Sequence, residues 1–105
     1  MDGFTRKISE LIVKTNSGDL TAEAINKARQ LFLDGIAVAV AGSIKEAPPT
    51  ILANHIKSKG SLEQASVIGF DFKTHAVDAA YINGASMHVL DYEPMWSPAN
   101  HAVST

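Results

Sequence analysis

At 105 residues and 46% hydrophobic content, the chain is long enough for one domain with a modest core. Its net charge of −2, from 9 basic and 11 acidic residues, offers no basic surface for nucleic acid or an anionic membrane. With no cysteine, it can hold no disulfide, thiolate zinc site or cysteine-ligated iron–sulfur cluster.

The first residues carry no apolar stretch or cleavage site of a secretory signal, so a soluble, cytoplasmic protein is the default expectation. Phe4, Ile8, Leu11, Ile12 and Thr15 fall at helical spacing, with Thr5 as the expected N-cap and Gly18 just past the end. Residues 16–19 form a turn by composition. Thr21 caps a second helix, with Leu20 and Ile25 at the hydrophobic-staple positions. Ile25, Ala28, Phe32, Ile36 and Val40 make its apolar stripe, while Glu23, Lys27, Gln30 and Asp34 make the opposite face. From Gly35 onward the helix is apolar all round, which predicts burial on every side, and Gly42 is expected to end it. That run is far shorter than the ~20 residues needed to span a bilayer, so no membrane partner is expected.

Pro48 and Pro49 open a third helix through Ile51, Leu52 and Ile56 to Gly60. Residues 66–70 suit a brief extended segment. A fourth helix starts at Thr74 or His75, with Val77, Ala80, Tyr81 and Gly84 on one side. Pro94 and Pro98 exclude a regular helix after Tyr92. The fold class is mainly α: a partial helical bundle in one incomplete domain, residues 1–105.

The chemistry gathers at the end. Residues 74–105 hold three of the four histidines, with Asp78, Asp91 and Glu93, and no Lys or Arg. An anionic substrate bound there would need cations from elsewhere. Asn83-Gly84 inside a helix is unusual, since Gly costs ~1 kcal/mol relative to Ala. Gly84 admits another backbone or a ligand, with Asn83 offering its amide, or marks a tight helix crossing. His88 and Asp91 share a face if the helix continues, and His101 follows a Pro-containing loop. Two histidines and one carboxylate suit a metal, but His-x-x-Asp is common without one, and no metal or cofactor is expected. General acid–base work by Asp91 and His101, with His88 positioning, is the preferred reading. Trp96 either walls a pocket or anchors its loop. His55, His75 and Asp34 read as helix-flank, helix-start and solvent-facing residues.

The string Ile82-Asn83-Gly84-Ala85-Ser86-Met87-His88, followed by Leu90-Asp91-Tyr92-Glu93 and then His101, resembles the signature of the MmgE/PrpD family. That family includes 2-methylcitrate dehydratase and cis-aconitate decarboxylase. The capped helix with Leu33-Asp34-Gly35 and the segment Ser66-Val67-Ile68-Gly69 are similar to its opening too. The resemblance implies the N-terminal piece of a large helical domain, in proteins several times longer. It implies Asp91 and His101 as active-site residues, in metal-free, cofactor-free lyase chemistry on small di- or tricarboxylates. Asn83, Gly84, His88, Met95 and Trp96 are the expected substrate-binding residues. Further histidine and lysine site residues, supplied by the rest of the parent polypeptide, and a homodimer are also implied. On this view the 105-residue chain alone is inactive. Three positions depart from the commoner pattern: Glu93 replaces Asp, Pro94 replaces a second acid, and Met95 stands where many members carry a pocket threonine. The substrate within the family therefore stays open. A dicarboxylate isomerase or epimerase, and a non-catalytic helical interaction module, are the alternative readings.

Overall fold

The computed structural model describes residues 3–93, 95, 96, 100, 101, 103 and 104, with only the backbone of Trp96 and Asn100. Its architecture is mainly helical: α1 (Phe4–Lys14), α2 (Ala22–Lys45), α3 (Ala47–Lys59) and α4 (Ala76–His88). Two short antiparallel ladders accompany them. β1 (Ala65–Ser66) pairs with β2 (Lys73–Thr74), and β3 (Met95–Trp96) pairs with β4 (Asn100–His101).

Local signals explain most helix ends. The Thr21 hydroxyl accepts the Ala24 N–H at 3.1 Å and starts α2. Pro48 and Pro49 sit in the first turn of α3, where a missing N–H leaves no bond unmade. Gly60 ends that helix at φ 65°. The His75 ring accepts the Val77 N–H at the start of α4. At the first helix the expectation fails: Gly3 occupies the N-cap without a side-chain bond, and Thr5 lies inside α1.

Gly42 does not end α2, which continues to Lys45. It marks the crossing of α2 and α4 instead, where a Cβ would collide with the Ser86 carbonyl and meet a Val89 methyl at 2.8 Å. Gly35, Ala39, Gly42 and Ser43 are the buried residues of α2, and Ala79, Ile82, Ser86 and Met87 those of α4. Small side chains let these two backbones approach closely. Beside this contact, Ala53 and Ile56 of α3 join Val67, Ala79 and Ile82 in an apolar core bordered by Phe70 and Phe72. α2 turns into α3 through extended Glu46, with 85° between the two helices. No single helix among the described residues is long and apolar enough to cross a membrane.

Burial corrects two stripes. Phe32, Ile36 and Val40 of α2 are exposed, so the all-round burial expected after Gly35 is not met within this chain. With Leu20, Ile25 and Leu33, Phe32 and Ile36 line an open apolar groove of about 640 Å³. On α4, Val77, Ala80 and Tyr81 are exposed, and the buried side is the one through Ala79, Ile82 and Ser86. No residue of α1 is buried, and Leu11, Ile12 and Val13 face solvent. Apolar surface of this extent drives association. The purified 105-residue chain is therefore expected to self-associate in sedimentation velocity at micromolar concentration. A monomer with a sharp, concentration-independent thermal transition would refute that expectation.

Candidate active site

α4 ends at His88, and the next turn reverses the chain through Asp91, whose φ of 55° lies in the left-handed region. Asp tolerates this better than most residues, and its N–H is held by the His88 carbonyl at 2.9 Å. The helix therefore does not continue to Asp91, and the shared helical face expected for His88 and Asp91 does not form. The reversal instead sends the chain into the β3–β4 ladder, which returns His101 to the end of α4.

The hub of the site is Glu93, whose side chain is 0% exposed. His88 Nδ1 lies 2.8 Å from Glu93 Oε1, and His101 Nδ1 lies 3.1 Å from the same oxygen. The Ser104 hydroxyl donates to Oε1 at 2.6 Å, and the Ser104 N–H donates to Oε2 at 2.8 Å. The two imidazoles meet edge to face, with ring centroids 4.5 Å apart. On its far side, His101 Nε2 stands 3.5 Å from Asp91 Oδ1. A line of acid–base groups thus runs from a covered carboxylate, through a largely covered imidazole, to an Asp side chain that is 76% exposed.

Burial raises the pKa of Glu93. Hydrogen bonds from the Ser104 hydroxyl, His88 and the Ser104 N–H, with the nearby His101, outweigh it and hold the carboxyl below its usual range. The folded state therefore binds this proton less readily than the unfolded chain. Stability from Glu93 is fully present above the unfolded value, about pH 4.3, and is lost as pH falls through the lower folded value. Thermal unfolding followed from pH 6 to pH 3 is expected to show an acid decline that is shallower in Glu93→Gln. Parallel declines in both proteins would contradict it.

The backbone of residues 103 and 104 fits because α2 and α4 offer glycines there. A Cβ on Gly84 would stand 2.8 Å from the Ser104 carbonyl oxygen, and one on Gly35 would stand 2.6 Å from a Val103 methyl. Gly84 thus admits a backbone, one of the two uses its position suggested. Asn83 serves the other end of the fold. Its amide oxygen accepts the Ile68 N–H at 2.8 Å, and its nitrogen donates to the Ser66 carbonyl at 3.2 Å, pinning the segment after β1 to α4.

Gly84, His88 and Ser104 line an open groove of about 460 Å³ with Ala80, Tyr81 and Ala85. Among the described residues no Lys or Arg lines it, in keeping with the charge distribution of the sequence. Met95 is exposed, and the Trp96 side chain lies outside the described residues. Glu93 and Ser104 are the residues that sequence reasoning missed. Glu93 stood out only as a replacement for Asp, and nothing in the sequence ties it to a serine eleven positions later.

His88, Glu93 and His101 also bring one ligand atom each within 4.8 Å of the others, a two-histidine, one-carboxylate set that can accept a divalent ion. This set has Glu93 where the sequence suggested Asp91. Both oxygens of Glu93 already receive hydrogen bonds from Ser104.

Comparison with known proteins adds a second line. The MmgE/PrpD N-terminal domain profile matches residues 6–105. The chain is similar to the cis-aconitate decarboxylases of Mus musculus and Homo sapiens, each 26% identical over 102 residues. Those matches cover 96% of this chain and 21% of each relative, so the chain spans about a fifth of their length. No solved structure matches.

Proposed function

Since the chain belongs to the MmgE/PrpD family, as its N-terminal domain, we propose that it supplies part of the active site of a lyase acting on small di- or tricarboxylates. The observation that carries this reading is the contact of exposed Asp91 with a His101 backed by covered Glu93. The similarity to cis-aconitate decarboxylases supports the same class.

In a dehydration, one of the pair takes the proton next to a substrate carboxylate while the other protonates the departing hydroxyl. In a decarboxylation, the C–C bond breaks with its electron pair left on carbon, CO₂ leaves, and the acid of the pair protonates that carbon. Asp91 and His101 are close enough to share either task, and both need an enolate-like charge to be stabilised. The groove lined by His88, Gly84 and Ser104 offers an aromatic ring, a histidine and small residues, but no cation among the described residues. The cations that hold the substrate come from the rest of a longer polypeptide or from a second copy in a cytoplasmic homodimer. Substrate lies along Gly84 and His88, with Met95 and Trp96 at the loop side. Asn83, whose amide is engaged with Ile68 and Ser66, is assigned to holding the segment after β1 on α4.

The chemistry draws on side chains alone, so a chelator in the assay is expected to leave the rate unchanged. The complete gene product, incubated with cis-aconitate and with 2-methylcitrate, is expected to release CO₂ from the first or water from the second. Retained mass with inverted configuration of a chiral dicarboxylate would replace the lyase by an epimerase. Turnover of none of these would overturn the proposal.

A further inference from the structure

The lyase reading assigns work to Asp91 and His101 and leaves one arrangement unused: a buried carboxylate with two imidazoles against it. We propose that His88, Glu93 and His101 form a site for a divalent transition-metal ion of the Zn²⁺ class, and that an ion bound there silences the acid–base pair. The site rests on geometry alone. The silencing rests on the lyase reading.

The three side chains each bring one ligand atom to within 4.8 Å of the others. His88 Nδ1 and His101 Nδ1 stand 2.8 and 3.1 Å from Glu93 Oε1. Ligand atoms bound to one zinc ion at about 2.0–2.1 Å lie roughly 3.3 Å apart at the corners of a tetrahedron. Two of the three separations are already close to that value. Two imidazoles and a carboxylate are a donor set that zinc accepts, with a further position left for water.

The surroundings suit a cation. Residues 74–105 hold Asp78, Asp91 and Glu93 and no Lys or Arg, so this segment sets no fixed positive charge against an entering ion. Ser104 donates to both oxygens of Glu93 and holds the carboxylate in place, and Oε1 keeps a second lone pair for the ion. Asp91 Oδ1 stands 3.5 Å from His101 Nε2, where an outer carboxylate orients a metal-bound histidine through its other ring nitrogen. The His88 side chain is 54% exposed and lines the groove, which gives the ion a path in.

An ion held by both Nδ1 atoms takes their lone pairs, so the one proton of each neutral ring sits on Nε2. His101 then has no lone pair with which to accept a proton. It can no longer cycle between neutral and charged forms, and acid–base work with Asp91 stops.

The test is calorimetric titration of the metal-free complete gene product with Zn²⁺, beside turnover of cis-aconitate. Wild type is expected to bind Zn²⁺ at micromolar concentration, to lose turnover as this site fills, and to recover it when EDTA is added. His88→Gln and Glu93→Gln are each expected to bind one equivalent fewer per chain, and the residual turnover of His88→Gln to be insensitive to Zn²⁺. Asp91→Asn, which alters only the outer carboxylate, is expected to weaken binding ~10-fold. His55→Gln, at an exposed position of α3, is the control for surface histidines and is expected to bind as wild type does. Since His88 is half exposed, His88→Gln decides the matter if Glu93→Gln does not fold. No Zn²⁺ uptake by wild type, or wild-type stoichiometry and affinity in His88→Gln, would overturn the site. Binding with unchanged turnover would overturn the silencing. Absence of turnover in metal-free wild type removes the lyase reading alone, because the calorimetric readout does not depend on activity.

Discussion

Asp91→Asn in the complete gene product is expected to lower turnover by about 10²-fold or more, with thermal stability nearly unchanged. The substitution keeps shape, and Asn accepts the left-handed backbone at φ 55° as readily as Asp. The side chain is 76% exposed, so no buried contact is lost with the charge. What disappears is the carboxylate 3.5 Å from His101 Nε2, which can neither take a proton nor stabilise an imidazolium once it is an amide. His101→Gln is expected to fall as far. If the two work on one proton path, the double variant is expected to be about as slow as the slower single one, since groups acting as a unit are non-additive. Full activity of Asp91→Asn would instead favour the helical interaction module, which needs no acid or base at this position.

The reach of the sequence reading follows the range of the interactions involved. Thr21 as a cap, the prolines opening α3 and Gly60 at its end were legible because each acts within a turn or two. Burial was not. Phe32 and Ile36 make the obvious apolar stripe yet line an open groove, while the packed face of α2 is Gly35, Ala39 and Gly42. Small residues carry little hydrophobic signal, and their role becomes visible only when α4 lies against them. The site divides along the same line. Asp91 and His101 were singled out by residue type and family resemblance, and the fold brings the two side chains to 3.5 Å. The covered state of Glu93 depends on a chain reversal at Asp91 and on Ser104, neither of which helical periodicity describes.

Gly84→Ala links the fold to the site and is the smallest change expected to have a large effect. In an open helix, Ala in place of Gly stabilises by about 1 kcal/mol. At this position the new methyl would stand 2.8 Å from the Ser104 carbonyl oxygen, and a backbone group cannot swing aside as a side-chain tip can. Overpacking of this kind costs ~1–3 kcal/mol, so gain and loss nearly offset and the melting temperature is expected to fall only slightly. Activity is expected to respond more strongly. Ser104 donates two of the hydrogen bonds that orient Glu93, and Glu93 faces His88 and His101. A displacement of about 1 Å in a catalytic arrangement can cost ~10²-fold in rate. Turnover is therefore expected to drop ~10- to 10²-fold while the protein stays folded. Gly18→Ala, where a Cβ meets nothing within 4 Å, is the matched control and is expected to be silent. Full turnover in Gly84→Ala would mean that the segment through Ser104 does not hold the carboxylate in the arrangement that turnover needs.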